Sequence, residues 1–408
     1  MTDPAPLVRP SFNVFLNLCP QFANMPHKEA MMVSPGEQLG ERIRECRKKL
    51  NLTQRELAAR AGLSAHQIVS QIEKGDREVK AWELARIAQA LCQSVSELLA
   101  PRPPQAAVVL WRDKPSADAS LAEAQFLQRC REYQFLERVL GLPAAAPLPS
   151  FRVDPVSLTP READRLAEEV RGTLGLGARP GSSLAVVLER KYGVKIWYEP
   201  LGESGSAASA KGEFGYALLI NANHAPWRRN YSLAHELFHL VTWDSTQPDV
   251  REAQPAWWSQ VEKAAQAFAS TLLLPIEVVI AEFEARVHDR KVAYADLVEL
   301  ARDFDVSTEA LVWRLVRLGR LHDQEAQRIL SDPKLRALDR QTMPEHWREP
   351  LVPPERFVRL AFLAYQRGLL SRARLAQLVG SSLIELKAFL SRYGFDEAEV
   401  GQAAAAVA

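Results

Sequence analysis

Cysteine is scarce in this chain. Four residues in 408, Cys19, Cys46, Cys92 and Cys130, lie far apart with no C-x-x-C pair. That is the pattern of reduced core or surface thiols in a cytoplasmic protein. Also missing is any run approaching 18 uninterrupted apolar residues, so no transmembrane helix and no membrane role are expected. The apolar patch at Phe12–Leu18 is short and lacks a basic flank or a small-residue cleavage site, which argues against a secretory signal. Net charge is nearly absent too: 51 basic residues face 50 acidic ones. Overall charge therefore points neither towards nucleic acid nor away from it, and any basic patch must be local. The length suffices for two or three domains with sizeable cores.

The stretch Tyr231-Ser-Leu-Ala-His235-Glu236-Leu-Phe-His239-Leu-Val241 stands out against this plain background. It reads H-E-x-x-H inside an apolar run with helical spacing. Histidines four apart stand one turn apart on one helix face, the separation two nitrogens need to meet one tetrahedral metal. Glu236 sits about 100° further round the helix, placed to take a proton from water without occupying a ligand position. Leu233, Leu237 and Leu240 form the apolar stripe that would hold the helix down.

Taken in order, residues 1–33 carry prolines and no period and read as a flexible tail. From Pro35 the pattern turns helical, with Leu39, Ile43, Cys46 and Leu50 among basic residues. Thr53 with Glu56 makes a capping box, Gly62 ends that short helix, and Ser64 is expected to cap the next, which carries Ile68 and Ile72 inward. A capped helix, a Gly turn and a second capped helix make a helix-turn-helix, and two more helices complete a five-helix domain over 34–100. Thr53-Gln54, Glu56-Leu57-Ala58, Gly62-Leu63-Ser64, Ile68, Ile72-Glu73 and Gly75 resemble the Cro/phage-repressor (XRE) family. The resemblance implies a double-stranded DNA operator as partner. Ser64, Ala65, His66, Gln67, Ser70 and Gln71 would then face the major groove, where Gln can pair bidentately with adenine. Gln54, Arg55, Lys74, Arg77 and Lys80 are placed for phosphates.

Pro101-Arg-Pro-Pro104 marks a boundary, and residues 101–150 read as a linker and connector helix, with a short strand at Ala106–Trp111 and a helix over Leu121–Leu142. Helices are expected at 160–177 and Ser183–Tyr192, and strands at Val194–Tyr198 and Phe214–Ile220. The Gly- and Ser-rich segment 202–212 reads as a mobile loop, and Phe214–Ile220 as an edge strand above the metal, able to pair with an extended substrate.

Two histidines leave a tetrahedral zinc short of a third protein ligand. Asp244, Asp249, Glu252, Glu262 and His224 are all within range. Glu262 is preferred because Val261–Ser270 is a helix rich in small residues, able to pack close against the H-E-x-x-H helix. Arg228-Arg229-Asn230-Tyr231-Ser-Leu-Ala-His235-Glu236-Leu-Phe-His239-Leu240, with Glu262 and Ala265-x-x-Phe268-Ala269-x-x-Leu272-Leu-x-Pro275, is similar to the ImmA/IrrE zinc metallopeptidases over about 180–275. That resemblance implies a metallopeptidase domain over 151–321, with His235, His239 and Glu262 as metal ligands and Glu236 as general base. It also implies proteolysis of, or partnership with, repressor-like regulatory proteins in stress, phage or mobile-element responses. Phe238 stands where the family commonly has Gly, and Gln266 where it usually has Asn; neither removes a ligand, and Phe238 would narrow the site. Zinc is the expected metal, though a His-His-Glu site also accepts Mn or another divalent ion. Tyr231, His224 and Arg229 are nearby candidates to stabilise an oxyanion, and nothing in the sequence selects one.

Residues 322–354 are polar and proline-punctuated and read as a linker. Residues 355–400 read as a small helical, helix-turn-helix-like module whose expected role is dimerisation or substrate contact, with 401–408 a tail. The fold class is thus mainly α with a small β-sheet: an N-terminal five-helix domain, a zincin-like α+β domain and a C-terminal helical module. The functional expectation is a cytoplasmic, homodimeric DNA-binding regulator carrying a zinc endopeptidase, with single-stranded DNA a possible signal. The alternative is a non-catalytic transcription factor whose peptidase-like domain senses a ligand, metal or partner.

Overall fold

Helix caps written into the sequence set the start of the first domain. In the computed structural model, which describes residues 34–100, 107–115, 119–154, 157–203, 205–246, 255–289 and 291–396, Ser34 and Glu37 close a capping box on α1 (Pro35–Lys49), and Thr53 and Glu56 close one on α2 (Gln54–Arg60). The expected tails at 1–33 and 401–408, and Cys19, lie outside the described residues. After Gly62, in the left-handed region at φ 62°, comes α3 (His66–Lys74). Ser64 does not cap it. Ala65 is the N-cap and offers no side-chain bond, and Val69 with Ile72 is buried where Ile68 with Ile72 was expected. Gly40 lets α1 lie against the end of α3, since a Cβ there would collide with the Ile72 carbonyl oxygen. Helices α4 (Ala81–Ala90) and α5 (Val95–Leu99) close the core around Leu57, Ile87 and Leu91.

The rest is built on one four-stranded sheet, β1 (Val108–Trp111), β2 (Lys195–Glu199), β3 (Ala207–Gly212) and β4 (Gly215–Asn221), in the order β1-β3-β4-β2. β3 is antiparallel to both of its neighbours, and β2 runs parallel to β4. Two expectations are corrected here. The segment read as a mobile loop supplies β3, an interior strand. Phe214–Ile220, read as an edge, lies in β4, paired on both sides. Side chains alternate between two cores. Leu110, Ile196, Ala207, Leu218 and Ile220 join one, while Trp111, Trp197, Ala208, Ala210, Ala217 and Leu219 join the other.

The first core is covered by α7 (Pro160–Leu174), α8 (Pro180–Arg190), α9 (Pro226–Val241), α10 (Pro255–Leu273), α11 (Ile276–Ala285), α12 (Tyr294–Asp303) and α13 (Thr308–Arg317). The expected linker at 322–354 instead holds α14 (Asp323–Ser331) and α15 (Pro333–His346). Their Ala326, Ile329 and Leu335 are buried in the same core, and Asp339 accepts bonds from Arg302 and Thr308. Pro333 begins a helix here, because proline at the first helical position costs no hydrogen bond.

The second core joins α6 (Ala119–Val139) to α16 (Glu355–Gln366), α17 (Arg372–Val379) and α18 (Leu386–Ser391). The C-terminal helices are therefore no separate module. Tyr133, Trp197 and Phe357 pack ring against ring, and Glu137 pairs with both Lys195 and Arg356 at 3.0 Å. α6 also holds the first domain: Arg131 pairs with Glu97 at 2.8 Å and donates to the Cys92 carbonyl at 2.9 Å. The three described cysteines are free thiols. No single helix among the described residues is long and apolar enough to cross a membrane.

Candidate metal centre and nucleic-acid interface

The small side chains of β3 explain how α9 can lie so close to the sheet. Ala207 is on the α9 side by core membership, and Ser209, two residues on, shares that face. From Ser232 onward every residue of α9 is buried. Its other flank meets α10, where Ala264, Ala265, Ala267 and Ala269 permit the close approach anticipated from the sequence.

The result brings His235, His239 and Glu262 together. His235 Nε2 is 3.2 Å from Glu262 Oε2, His239 Nε2 is 3.5 Å from Glu262 Oε1, and the two Nε2 atoms are 3.3 Å apart. A tetrahedron with bonds of about 2.1 Å has edges of about 3.4 Å, so the two imidazole nitrogens and the Glu262 carboxylate already have the spacing of one metal's ligands. His235 and His239 are 0% and 2% exposed, while the Glu262 side chain keeps 24% of its surface. Burial, with the Arg112 charge adding to it, draws the His235 imidazole down to about 3, so its nitrogens stay neutral and available. Trp258, one turn before Glu262, stacks on the His239 ring at 5.5 Å.

Glu236 is 1% exposed, and neither carboxylate oxygen has a hydrogen-bond partner. Burial, then the Glu262 carboxylate, pushes it up to about 8. An orphaned acid beside three convergent donors is the arrangement a divalent cation would complete, because its charge opposes both effects. Of the other possible ligands, Asp244 pairs with Lys211 at 3.2 Å, His224 is absent from the cluster, and Asp249 and Glu252 lie outside the described residues. Phe238, expected to narrow the site, lies edge-on to the His239 ring at 5.6 Å. Its ring is fully buried and packs on Phe268 at 5.5 Å, filling the core between α9 and α10.

The oxyanion candidates separate. Arg229 donates to the carbonyls of Ala222, His224 and Arg348. His224 is buried, drawn down to about 4 by burial and then by neighbouring arginines, with Nε2 at Asn221. Tyr231 lies 6.4 Å from the His235 ring, its hydroxyl donating to the Gln266 carbonyl at 3.4 Å. Sequence reasoning missed Arg112, whose guanidinium sits 5.3 Å from the Tyr231 ring. The signal that could have found it was the alternation of a strand read only as connector.

In the first domain, Arg55, Ser64, His66, Gln67, Gln71, Lys74 and Lys80 are exposed, and Ala65 and Ser70 half-buried. Gln54 and Arg77, expected at phosphates, each also have a partner within the domain. The Gln54 amide donates to Glu73 at 2.9 Å, and Arg77 pairs with Glu83 at 2.9 Å. Both serve buried carboxylates that need partners: Glu73 is 3% and Glu83 1% exposed. Arg47 grips Glu73 in a bidentate pair at 2.6 and 2.9 Å.

A family model described as IrrE N-terminal-like domain matches residues 189–316, and one described as helix-turn-helix matches residues 43–98. The chain joins a helix-turn-helix domain to an IrrE-like domain. Its parts are thus those of a DNA-binding regulator with a peptidase-like domain, and the helix-turn-helix supports binding to double-stranded DNA. Among solved structures, a Mycobacterium tuberculosis transcriptional regulator matches at 18% identity with a TM-score of 0.30, over 46% of this chain and 51% of that one. The chain thus spans about half the length of that regulator. The apo form of the competence regulator ComR from Streptococcus vestibularis matches at 13% identity with a TM-score of 0.16, over 76% and 98%. No curated protein matches the chain. The IrrE-like match begins within α8, so β1, α6 and α7 lie outside it although β1 belongs to the same sheet.

Proposed function

We propose that this protein is a DNA-binding transcriptional regulator whose IrrE-like domain is a zinc-dependent endopeptidase acting on a repressor-like regulatory protein. The observation that carries the reading is the convergence of His235, His239 and Glu262 on one point, beside a buried Glu236 that no protein group satisfies. His235, His239 and Glu262 would hold the ion. Bound zinc would supply Lewis acidity to a peptide carbonyl and to water. Glu236 takes the proton of the attacking water and returns it to the leaving amine. The edge strand nearest the site is β1, not β4, so an extended substrate would pair along Val108–Trp111.

His66, Gln67, Ser70 and Gln71 of α3 are assigned to base edges, and Arg55, Lys74 and Lys80 to phosphates. A homodimer would read two half-sites. The setting we assign is a cytoplasmic stress, phage or mobile-element response, with single-stranded DNA as a candidate signal. One observation favours a second reading, a regulator that senses a ligand or metal without turnover: three of the four site residues are at most 2% exposed.

The test is co-expression of wild type and Glu236→Ala with proteins encoded beside this one, with metal analysis and mass spectrometry of all products. Cleavage by wild type alone, with metal in both, supports the peptidase. Metal in both and cleavage in neither, with single-stranded DNA supplied, selects the sensor. Absence of stoichiometric metal from both after zinc supplementation overturns the site.

A further inference from the structure

The strand that follows the DNA-binding domain ends beside the candidate site. Helix α5 ends at Leu99, β1 begins at Val108, and alternation puts Leu110 in the α9-side core and Trp111 in the opposite one. Arg112 therefore faces α9. Its N–H donates to the Ala207 carbonyl at 3.1 Å, continuing the ladder one residue past the strand and fixing the backbone. Its guanidinium lies over the Tyr231 ring, one helical turn before His235.

The Arg112 side chain is half-buried, 22% exposed, with its guanidinium still open to solvent, and no described group accepts a hydrogen bond from it. Its one ion-pair contact is the adjoining Asp113 at 3.9 Å, and that carboxylate already accepts the Ser206 hydroxyl at 2.7 Å. Arginines this far from full exposure are commonly spent on carboxylates, as Arg47 is here. An unspent one beside a hydrolytic centre has a use only when negative charge arrives. Arg229, His224 and Tyr231 are each engaged by neighbouring groups.

We propose that Arg112 is the anion-binding residue of the site, holding the oxygen that becomes negative when a peptide carbonyl is attacked. The proposal rests on the peptidase reading. Water oxygen bonds to the carbonyl carbon, and the carbonyl π pair moves onto the oxygen facing Arg112. Glu236 accepts the water proton. Collapse then breaks the C–N bond, the proton passes from Glu236 to the amine nitrogen, and the water's second proton moves from the new carboxyl group to that amine, leaving carboxylate and ammonium products. Because Arg112 comes from outside the residues matched to the IrrE-like domain, movement of the DNA-binding domain that shifts β1 would also displace this group.

The test compares zinc-loaded full-length wild type with Arg112→Met and Arg112→Lys. Two readouts are used: cleavage kinetics on the identified substrate, and calorimetric titration with inorganic phosphate as a tetrahedral anion. Arg112→Met should lower kcat by about 10²–10³ with KM changed less than about threefold. It should weaken phosphate by about tenfold or more, with zinc content unchanged, and Arg112→Lys should fall between. Unchanged kcat and phosphate affinity in Arg112→Met overturn the proposal. If that variant does not fold, Arg112→Lys decides, and full wild-type values in it overturn the need for a guanidinium fork. If wild type cleaves nothing, the peptidase reading fails alone. The titration still decides Arg112: phosphate weakened by Arg112→Met upholds the anion site, and phosphate unchanged removes it.

Discussion

Nε2 of His235 on α9 lies 3.2 Å from Oε2 of Glu262 on α10. Such proximity is maintained by the alanine face of α10. Removing either group should therefore empty the centre and leave the fold. His235→Ala or Glu262→Ala should drop zinc from about one per chain to well below one, with the far-ultraviolet circular dichroism unchanged. Stoichiometric zinc in both variants would remove them from the ligand set.

Glu236 should behave differently. Glu236→Gln keeps the shape and the three donors, so zinc should remain while cleavage falls by about 10²–10⁴. Loss of metal together with activity would show that this side chain is a ligand and not a base.

The buried Glu73 anchors α3 to α1 through Arg47 and to α2 through Gln54. Glu73→Ala strands Arg47, and breaking a buried pair of this kind costs about 3–5 kcal/mol. In calorimetry, the helix-turn-helix transition should move to lower temperature, while zinc content stays constant. DNA affinity should fall with it, and an unmoved transition would mean that the network is dispensable.

On the DNA face, Gln71→Ala should cost about 1–3 kcal/mol on an operator obtained by selection, and relax preference at one base position. Lys74→Ala should weaken all sequences alike and reduce the salt slope by about 1. If selected and random duplexes respond identically to both variants, α3 is not the reading helix.

Glu189 is held up at about 7 by burial, eased by Arg356 and reinforced by Glu355. Its ordinary value is about 4.3, so the folded chain holds this proton more tightly than the unfolded one. This contribution to stability is present at low pH and is lost as pH rises from about 4.3 through 7. Glu189→Gln should therefore gain on wild type across that interval, read as melting temperature against pH. A constant difference from pH 4.5 to 8 would contradict this.

Much of this was legible in the chain. The capping box at Thr53–Glu56, the H-E-x-x-H helix and the alanine-rich helix carrying Glu262 all declare themselves through local spacing. What stayed hidden depended on neighbours distant in sequence. Ala207-Ala-Ser-Ala-Lys-Gly212 has little strand propensity, and becomes a strand because partners lie on both sides and α9 demands small residues beneath it. α14 and α15 looked too polar to be ordered, yet three apolar residues and Asp339 suffice to dock them. Strand alternation puts Arg112 on the face of Leu110, but that this face meets α9 depends on the pairing with β3, which the sequence does not show.

β1 belongs to the sheet but not to the matched IrrE-like segment, and this limits where the protein can be divided. A chain started at residue 151 would strip β3 of its partner and leave a row of bare amide and carbonyl groups, the kind of edge that recruits another chain. Purified alone, such a fragment should self-associate through β3. For the same reason, an exchange of DNA-binding domains between proteins of this build would have to break the chain before Val108, so that the recipient keeps its own strand and the arginine that follows it.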